Sequence, residues 1–363
     1  METTVKSHSS TLLFTRFRWP KWSAPMVGIK PTVLPNFRAF TSSNSISSFV
    51  FTIFKACFQS TNKASNVINP RKCVFFRTFV RLKKVNIFMD KSKILYVNQT
   101  MMPYLEEGEL TSVCRKLPQQ IQEAGKEIRN FMPRYGCINE RRHQLHEVIR
   151  LSGMNLVVND HDHPLIIKVA SIPQAKMQVY FIDNEEFFKR KTALSDDNMD
   201  AHKDNDERMI FYCKGVAETV KKLGWAPDVV HCHGWFTSLL PLYIKRVYFN
   251  EPLFHDSKMV FSIYSSEEKG DVNKELYNKL LSDNFEESEI NSLKNPTYDA
   301  LYKMGAMMAD GIVIGDERVS DSMIEWAKSL GKPLLEYPGR DDYADAYNNF
   351  YNEILELDTE LAE

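Results

Sequence analysis

From residue 92 onward, short runs of β-branched and aromatic residues alternate with longer stretches of helical spacing. The run KILYV at 93–97 is followed by Val113, Leu117 and Ile121, which recur at helical spacing, and then by EIRNFMP at 127–133. Strands and helices of these lengths in alternation are typical of a parallel sheet that is covered on both faces. We therefore predict a single doubly wound α/β domain with a mostly parallel sheet.

The alternation continues along the chain. We predict two strands joined by a turn at 173–176, a helix that ends at Gly224, a buried strand at 228–233 and a later helix that ends at Gly331. Residues 265–296 are acidic and rich in turn residues, which indicates a long and partly helical excursion. One face of the final segment is apolar and predicts a C-terminal helix that packs on the sheet: Tyr343, Tyr347, Phe350, Tyr351 and Ile354.

The first 88 residues differ in charge from the rest. They contain fourteen Lys or Arg residues and one acid, Glu2, which leaves 32 basic and 46 acidic residues, a net charge of −14, for the remainder. Their apolar patch FVFTIF at 49–54 is too short to span a bilayer, and no secretory signal is visible. We predict a leader at 1–88 that lies outside the fold, either a disordered extension or sequence upstream of a start at Met89, with an organelle transit peptide as the alternative. The folded domain is then 89–363.

Several classes of chemistry lack their signature. The six cysteines form no CxxC pair, so neither a disulfide framework nor a zinc ribbon is indicated, and we expect reduced thiols in a cytoplasmic protein. No glycine-rich phosphate loop and no GxSxG elbow occur. HEVIR at 146–150 lacks the second histidine of a zinc protease, and HDHP at 161–164 is predicted to be a solvated turn. We expect no metal, no cofactor, no nucleic acid and no membrane as partners.

The stretch DVVHCHGWFTSLLPLYIKR at 228–246 places His231 and His233 at the end of a predicted buried strand. In a doubly wound sheet, ligands bind beyond the carboxyl ends of the strands. Alternation along a strand puts both imidazoles on one face. If that face is a cleft, each ring can bind a sugar hydroxyl or a phosphate, and if it is the core, the rings are structural.

This stretch resembles the PDxVHxHDWxTxLxPxYLK segment of bacterial and plant glycogen and starch synthases. Further blocks occur in the order of that family, from KILYVNQTMMPYLEEGELTSVCRKLP to LYKMGAMMADGIVIGDERVSDSMI, and cover most of residues 92–325. The resemblance implies two Rossmann-like domains that face each other across a cleft, the first holding mainly the α-glucan acceptor and the second mainly ADP-glucose. It also implies a catalytic, sugar-facing role for His233 and substrate-binding roles for His231, Trp235, Thr237 and Tyr264.

The chain departs from the family in its donor loop. The family motif KxGGL brings a lysine and bare backbone to the diphosphate, whereas this chain has Glu106, Glu107, Gly108, Glu109 and Leu110. Three carboxylates at a helix start oppose a dianionic ligand. We therefore predict a degenerate donor loop and badly weakened ADP-glucose binding.

Other departures concern the cleft. Gly234 replaces the acid of the HDW motif, Tyr264 stands in place of a histidine, and we expect the second glycosyltransferase domain to be absent. Catalysis by this chain alone is therefore not expected. Three hypotheses follow: an α-glucan-binding or regulatory domain, a glucosyltransferase completed by a protein partner that supplies a second domain, and a scaffold that binds neither ligand.

Overall fold

The computed structural model describes residues 91–265, 271–340 and 343–361, and the predicted leader at 1–88 lies outside them. The predicted α/β class is confirmed. The strands are β1 Lys93–Asn98, β2 Glu127–Pro133, β3 His146–Glu147, β4 Met154–Val158, β5 His161–Ile172, β6 Met177–Asp183, β7 Val229–His233, β8 Lys258–Ile263, β9 Gly311–Ile314 and β10 Leu334–Leu335. The helices are α1 Glu109–Glu123, α2 Glu140–His143, α3 Glu185–Phe188, α4 Asn205–Leu223, α5 Leu239–Arg246, α6 Leu276–Ser282, α7 Glu287–Ile290, α8 Tyr298–Met308, α9 Asp321–Ser329 and α10 Tyr343–Leu361.

All ten strands belong to one mixed sheet. Its order is β10-β9-β8-β7-β1-β2-β6-β5-β3, with β4 paired to β5. The neighbours from β10 to β6 are parallel, and the pairs that involve β3, β4 and β5 are antiparallel. The chain winds outward in opposite directions from β1 and from β7, which lie side by side. Their carboxyl ends therefore form the topological switch point, the usual ligand-binding crevice of open α/β sheets.

Helices cover both faces of the sheet. Helix α4 packs on one face together with α5 and α8, within the larger apolar core. The opposite face carries α1 and α10, whose apolar residues pack on Ile94, Val229 and Val260 in a second core cluster. The predicted C-terminal helix is thus confirmed, with its five apolar residues all buried.

Local sequence signals explain where helices begin and end. Helix α4 ends at Gly224, whose φ of 61° lies in the left-handed region that favours glycine. Ser320 caps α9 by accepting a hydrogen bond from the amide of Met323, and Gly331 with φ 64° follows the helix. These ends were predicted from the sequence and are confirmed.

The HDHP motif was wrongly predicted to be a solvated turn. His161 begins β5, and the turn lies one step earlier at Asn159 and Asp160, which both have positive φ. His163 is buried, with Nδ1 2.9 Å from a carboxylate oxygen of Glu186. The polar residues of this motif predicted exposure to solvent, but their antiparallel pairing with β4 makes them part of strand β5.

The predicted excursion after β8 is partly helical, as α6 and α7 show. Salt bridges hold it against α4: Lys279 Nζ lies 2.6 Å from Asp206 and 2.7 Å from Glu207, and Lys214 Nζ lies 2.6 Å from Asp283. Lys279 and Asp206 are mostly buried, so this pair is shielded from salt. The excursion therefore closes over the α4 face of the sheet.

Candidate functional site

The histidine pair lies at the switch point, on the central strand β7. In the register of the sheet, His231 is opposite Tyr96 of β1, and His233 is opposite Asn98. Both imidazoles point to the face that α10 covers, and both are fully buried. Their ring centroids are 3.9 Å apart. The structure therefore brings the two histidines together in the interior, beneath a helix.

His231 has a hydrogen-bond partner on each ring nitrogen. Nδ1 is 2.7 Å from the hydroxyl of Tyr351 on α10, and Nε2 is 2.7 Å from the hydroxyl of Ser262 on β8. Burial, reinforced by the neighbouring His233, holds the pKa of His231 well below its usual range. The ring is therefore neutral and acts as a bridge between the sheet and the C-terminal helix.

His233 has only one of its two nitrogens paired. Nδ1 is 2.8 Å from the hydroxyl of Tyr264, while Nε2 is buried and has no hydrogen-bond partner within residues 91–265, 271–340 and 343–361. Burial lowers the pKa of His233 to about 3. A neutral imidazole with one free nitrogen can donate to or accept from a hydroxyl group.

The next two predicted contacts belong to a short 3-10 turn after β7. Trp235 is fully buried and packs on Tyr298, with ring centroids 4.9 Å apart. The hydroxyl of Thr237 donates to the carbonyl of Gly234 at 2.8 Å. The structure therefore brings His231, His233 and Tyr264 together, whereas Trp235 packs toward α8. All five predicted residues are covered by protein, and the catalytic role of His233 and the binding roles of the other four stay a prediction.

Gly234 is required by its surroundings. Its φ is 89°, and a Cβ added there would lie 2.5 Å from Oε1 of Gln99. That oxygen accepts a hydrogen bond from the amide of Phe236 at 3.1 Å. The space next to this backbone position is therefore filled by Gln99, a contact that local sequence patterns do not reveal.

The loop that the sequence predicts to be a degenerate donor loop leads into α1 at the same edge of the sheet. Glu106, Glu107 and Gly108 are exposed, and Glu109 is the first residue of the helix. The amide of Gly108 donates to the hydroxyl of Thr111 at 2.8 Å. The structure thus places the carboxylates of Glu106, Glu107 and Glu109 at the start of α1, as predicted.

Residues that follow β10 reach this loop from far along the chain. The hydroxyl of Tyr337 donates to Glu109 at 2.8 Å, and Nε of Arg340 lies 3.1 Å from the other carboxylate oxygen. Arg340 also lies 3.4 Å from Glu317, in the loop after β9. Sequence reasoning missed both partners of Glu109. Arg340 thus pairs with Glu109, the carboxylate that the resemblance aligns with a family glycine.

Helix α10 lies on a surface that is only partly apolar. On this face of the sheet, which α1 and α10 cover together, six buried polar atoms have no hydrogen-bond partner among the described residues: Asn98 Oδ1, Asn130 Nδ2 and Oδ1, His233 Nε2, Tyr343 OH and Asn348 Oδ1. A buried polar atom without a partner costs about 1–3 kcal/mol, so such atoms offset part of what the buried apolar side chains of α10 contribute. The helix is therefore held less firmly than its apolar contacts alone suggest.

Two further classes of site were checked in the described residues. No three or more His, Cys, Asp or Glu side chains come together there in a way that could hold a metal ion. None of the helices that the structure describes combines the length and the apolar character that a bilayer crossing needs.

Comparison with known proteins identifies the family. The model of the starch synthase catalytic domain matches residues 93–325. A glycogen synthase from Pelodictyon phaeoclathratiforme is 35% identical over 254 residues, which are 68% of this chain and 51% of that protein. A glycogen synthase from Chlorobium limicola is 39% identical over 190 residues, 52% of this chain and 39% of the relative. The chain thus spans about half the length, or less, of these relatives.

A solved structure agrees on the fold. The catalytic domain of Starch Synthase IV from Arabidopsis thaliana, bound to ADP and acarbose, matches with a TM-score of 0.57 and covers 70% of this chain and 52% of that chain. At 15% identity this likeness concerns the fold alone. Because the family model covers well over half of the residues, this chain belongs to the starch synthase catalytic domain family.

Proposed function

We propose that this chain is a non-catalytic α-glucan-binding or regulatory domain of the glycogen and starch synthase family. The observation that carries the proposal is the contrast at the switch point between the donor loop and the histidine pair. The loop that would meet a diphosphate is acidic, whereas the side that would meet the sugar acceptor keeps neutral hydrogen-bonding groups.

The donor loop is unsuited to a nucleotide sugar for two reasons. Glu106 and Glu107 are exposed carboxylates and repel a diphosphate, and the nearby cation, Arg340, is already paired with Glu109 and Glu317. A charge-assisted hydrogen bond is worth about 1.5–3 kcal/mol. Loss of this hydrogen bond alone weakens ADP-glucose binding by roughly tenfold to a hundredfold, and repulsion between the carboxylates and the diphosphate weakens it further.

The acceptor side is better suited to a ligand. His233 retains an unpaired Nε2, and Asn98, opposite it in the register, retains an unpaired Oδ1. A sugar hydroxyl can donate to Oδ1 of Asn98, and a second hydroxyl can donate to or accept from Nε2 of His233, according to the tautomer of the ring. The Arabidopsis catalytic domain that shares the fold is bound to acarbose and also to ADP, so it supports a carbohydrate as a ligand class, and the exclusion of the nucleotide rests on the acidic loop alone.

Calorimetric titration tests the proposal. We expect the full chain to bind maltoheptaose and to show no binding of ADP-glucose at the same concentrations. His233→Gln should abolish glucan binding, whereas His255→Gln, at an exposed position, should leave it unchanged. Tight ADP-glucose binding would contradict the proposal and favour a glucosyltransferase completed by a partner chain. Binding of neither ligand would favour the scaffold hypothesis.

Restoring the donor loop provides a second test. The double variant Glu106→Lys and Glu109→Gly recreates the family pattern, and we expect ADP-glucose affinity to rise at least tenfold. The control Glu123→Lys makes a charge change at the opposite end of α1 and should have no effect. If the restored loop does not gain affinity, the carboxylates are not the reason for weak nucleotide binding.

A further inference from the structure

We propose that the C-terminal segment, comprising residues 336–340 and helix α10, is a displaceable cover that regulates access to the glucan site. The inference rests on the proposed function, because it concerns the same histidine pair. It goes beyond that function by assigning a regulatory role to a segment that lies outside the family match at 93–325.

The first observation is the position of α10. Tyr351 of this helix binds His231 through its hydroxyl, which also donates to the hydroxyl of Tyr96 at 3.2 Å. Tyr347 packs on the same imidazole, with ring centroids 5.8 Å apart. A ligand that approaches the histidine pair from this face must therefore displace α10.

The second observation is the polar surface on the face of the sheet that α1 and α10 cover together. Asn98, Asn130 and His233 are fully buried, lie on three neighbouring strands and point to this face, and each has at least one polar atom without a partner in the described residues. Helices docked by apolar side chains leave these groups unpaired. Sugar hydroxyls can both donate and accept, so an α-glucan satisfies groups that the helix does not.

The third observation is the attachment of the segment to the donor loop. Tyr337 and Arg340 contact Glu109, and the side chain of Arg340 is 63% exposed. Exposed ion pairs are screened by salt and are easily exchanged. We call the contacts of Tyr337 and Arg340 with Glu109 the latch. The latch therefore attaches the start of the C-terminal segment only weakly, whereas α10, at the other end of the segment, covers the histidine pair.

The latch predicts how affinity is controlled. When the binding-competent state is only partly populated, the apparent dissociation constant rises in inverse proportion to that fraction. Breaking the latch increases the open fraction without changing any residue that would contact the sugar. A variant in which the C-terminal segment is held less firmly over the histidine pair should therefore bind the glucan more tightly.

The experiment uses the full chain and two readouts. The double variant Tyr337→Phe and Arg340→Ala removes the latch, and Arg246→Ala removes an exposed arginine paired with Glu289 on α7 as the matched control. Hydrogen exchange is followed in α10 and in α4, which has the same length. We expect faster exchange in α10 than in α4, a further increase in the latch variant or with maltoheptaose, and roughly three- to tenfold tighter maltoheptaose binding in the latch variant.

The outcomes separate the two proposals. If the wild-type chain binds maltoheptaose, but α10 is as protected as α4 and the latch variant binds with unchanged affinity, the cover is overturned and the proposed function stands. If α10 opens in the latch variant but no variant binds maltoheptaose, the proposed function is overturned, and with it the regulatory role of the opening. A gain in affinity with Arg246→Ala equal to that of the latch variant would also overturn the cover.

Discussion

Helices α4 and α10 are each 19 residues long and lie on opposite faces of one sheet, yet they are held in different ways. Helix α4 packs in the large apolar core, and its buried cation Arg208 donates to the carbonyls of Phe187 and Ala193 and to Asn205 at 2.6–2.8 Å. Helix α10 lies on strands that carry several unpaired polar atoms, whereas on α4 itself one buried atom, Asp206 Oδ1, is unpaired among the residues that the structure describes. Two helices of equal length and similar amphipathicity thus need not be held equally firmly. The free energy gained when a helix is buried also depends on whether the sheet face beneath it leaves polar atoms unpaired.

The largest expected effect is on the α4 face. Arg208→Met removes three hydrogen bonds and leaves their buried acceptors unpaired, so we expect the free energy of unfolding to fall by about 3–5 kcal/mol. Urea unfolding measures the change. Arg246→Met, at a half-exposed position, should cost less than about 1 kcal/mol. Equal losses at both positions would show that the α4 anchor is no stronger than a surface ion pair.

A matched pair of phenylalanines tests the comparison directly. Phe211 of α4 and Phe350 of α10 are both buried. Phe211→Ala should cost about 3–5 kcal/mol, the usual value for a buried phenylalanine. Phe350→Ala should cost at most about half as much, because the loss cannot exceed the free energy with which α10 is docked. Urea unfolding of both variants checks this, and similar losses would mean that α10 is as firmly anchored as α4.

The histidine pair predicts a pH dependence that belongs to the α10 face. The pKa of His231 lies well below its usual range and that of His233 is about 3, so the unfolded chain binds more protons below pH 6.5. Their contribution is present above pH 6.5 and is lost as the pH falls toward the folded pKa values. Each histidine costs about 1.4 kcal/mol per pH unit in that window, so we expect about 2–3 kcal/mol less stability at pH 5.5 than at pH 7.

Unfolding titrations at the two pH values measure this loss. His231→Gln keeps a side chain that can hydrogen bond but does not titrate, so about half of the contribution of the pair should disappear in that variant, while His143 and His202, whose pKa values burial also lowers, keep theirs. A wild-type chain that is equally stable at both pH values would show that the imidazoles are already protonated or exposed in the folded state.

Much of the fold follows from local patterns, whereas the site does not. The helix stop at Gly224 and the shared face of Tyr347 and Tyr351 could be predicted because periodicity and caps are local properties. Periodicity also predicts that His231 and His233 share a face, but not which helix lies on that face. The contact of Arg340 with Glu109 joins residues far apart in the chain, and no local signal predicts such a pairing.

The smallest expected effect has the opposite sign. Asn130 is fully buried on β2, and neither atom of its amide has a hydrogen-bond partner in the part of the chain that the structure describes. Asn130→Leu replaces it with an apolar side chain of similar shape, and we expect a gain of about 1 kcal/mol, or roughly 2–4 °C in Tm. Asn155→Leu, at an exposed position of β4, should leave Tm nearly unchanged. Thermal unfolding measures both. A loss of stability in Asn130→Leu would mean that the amide is satisfied in solution, and the contrast between the two faces would then be smaller than the unpaired atoms indicate.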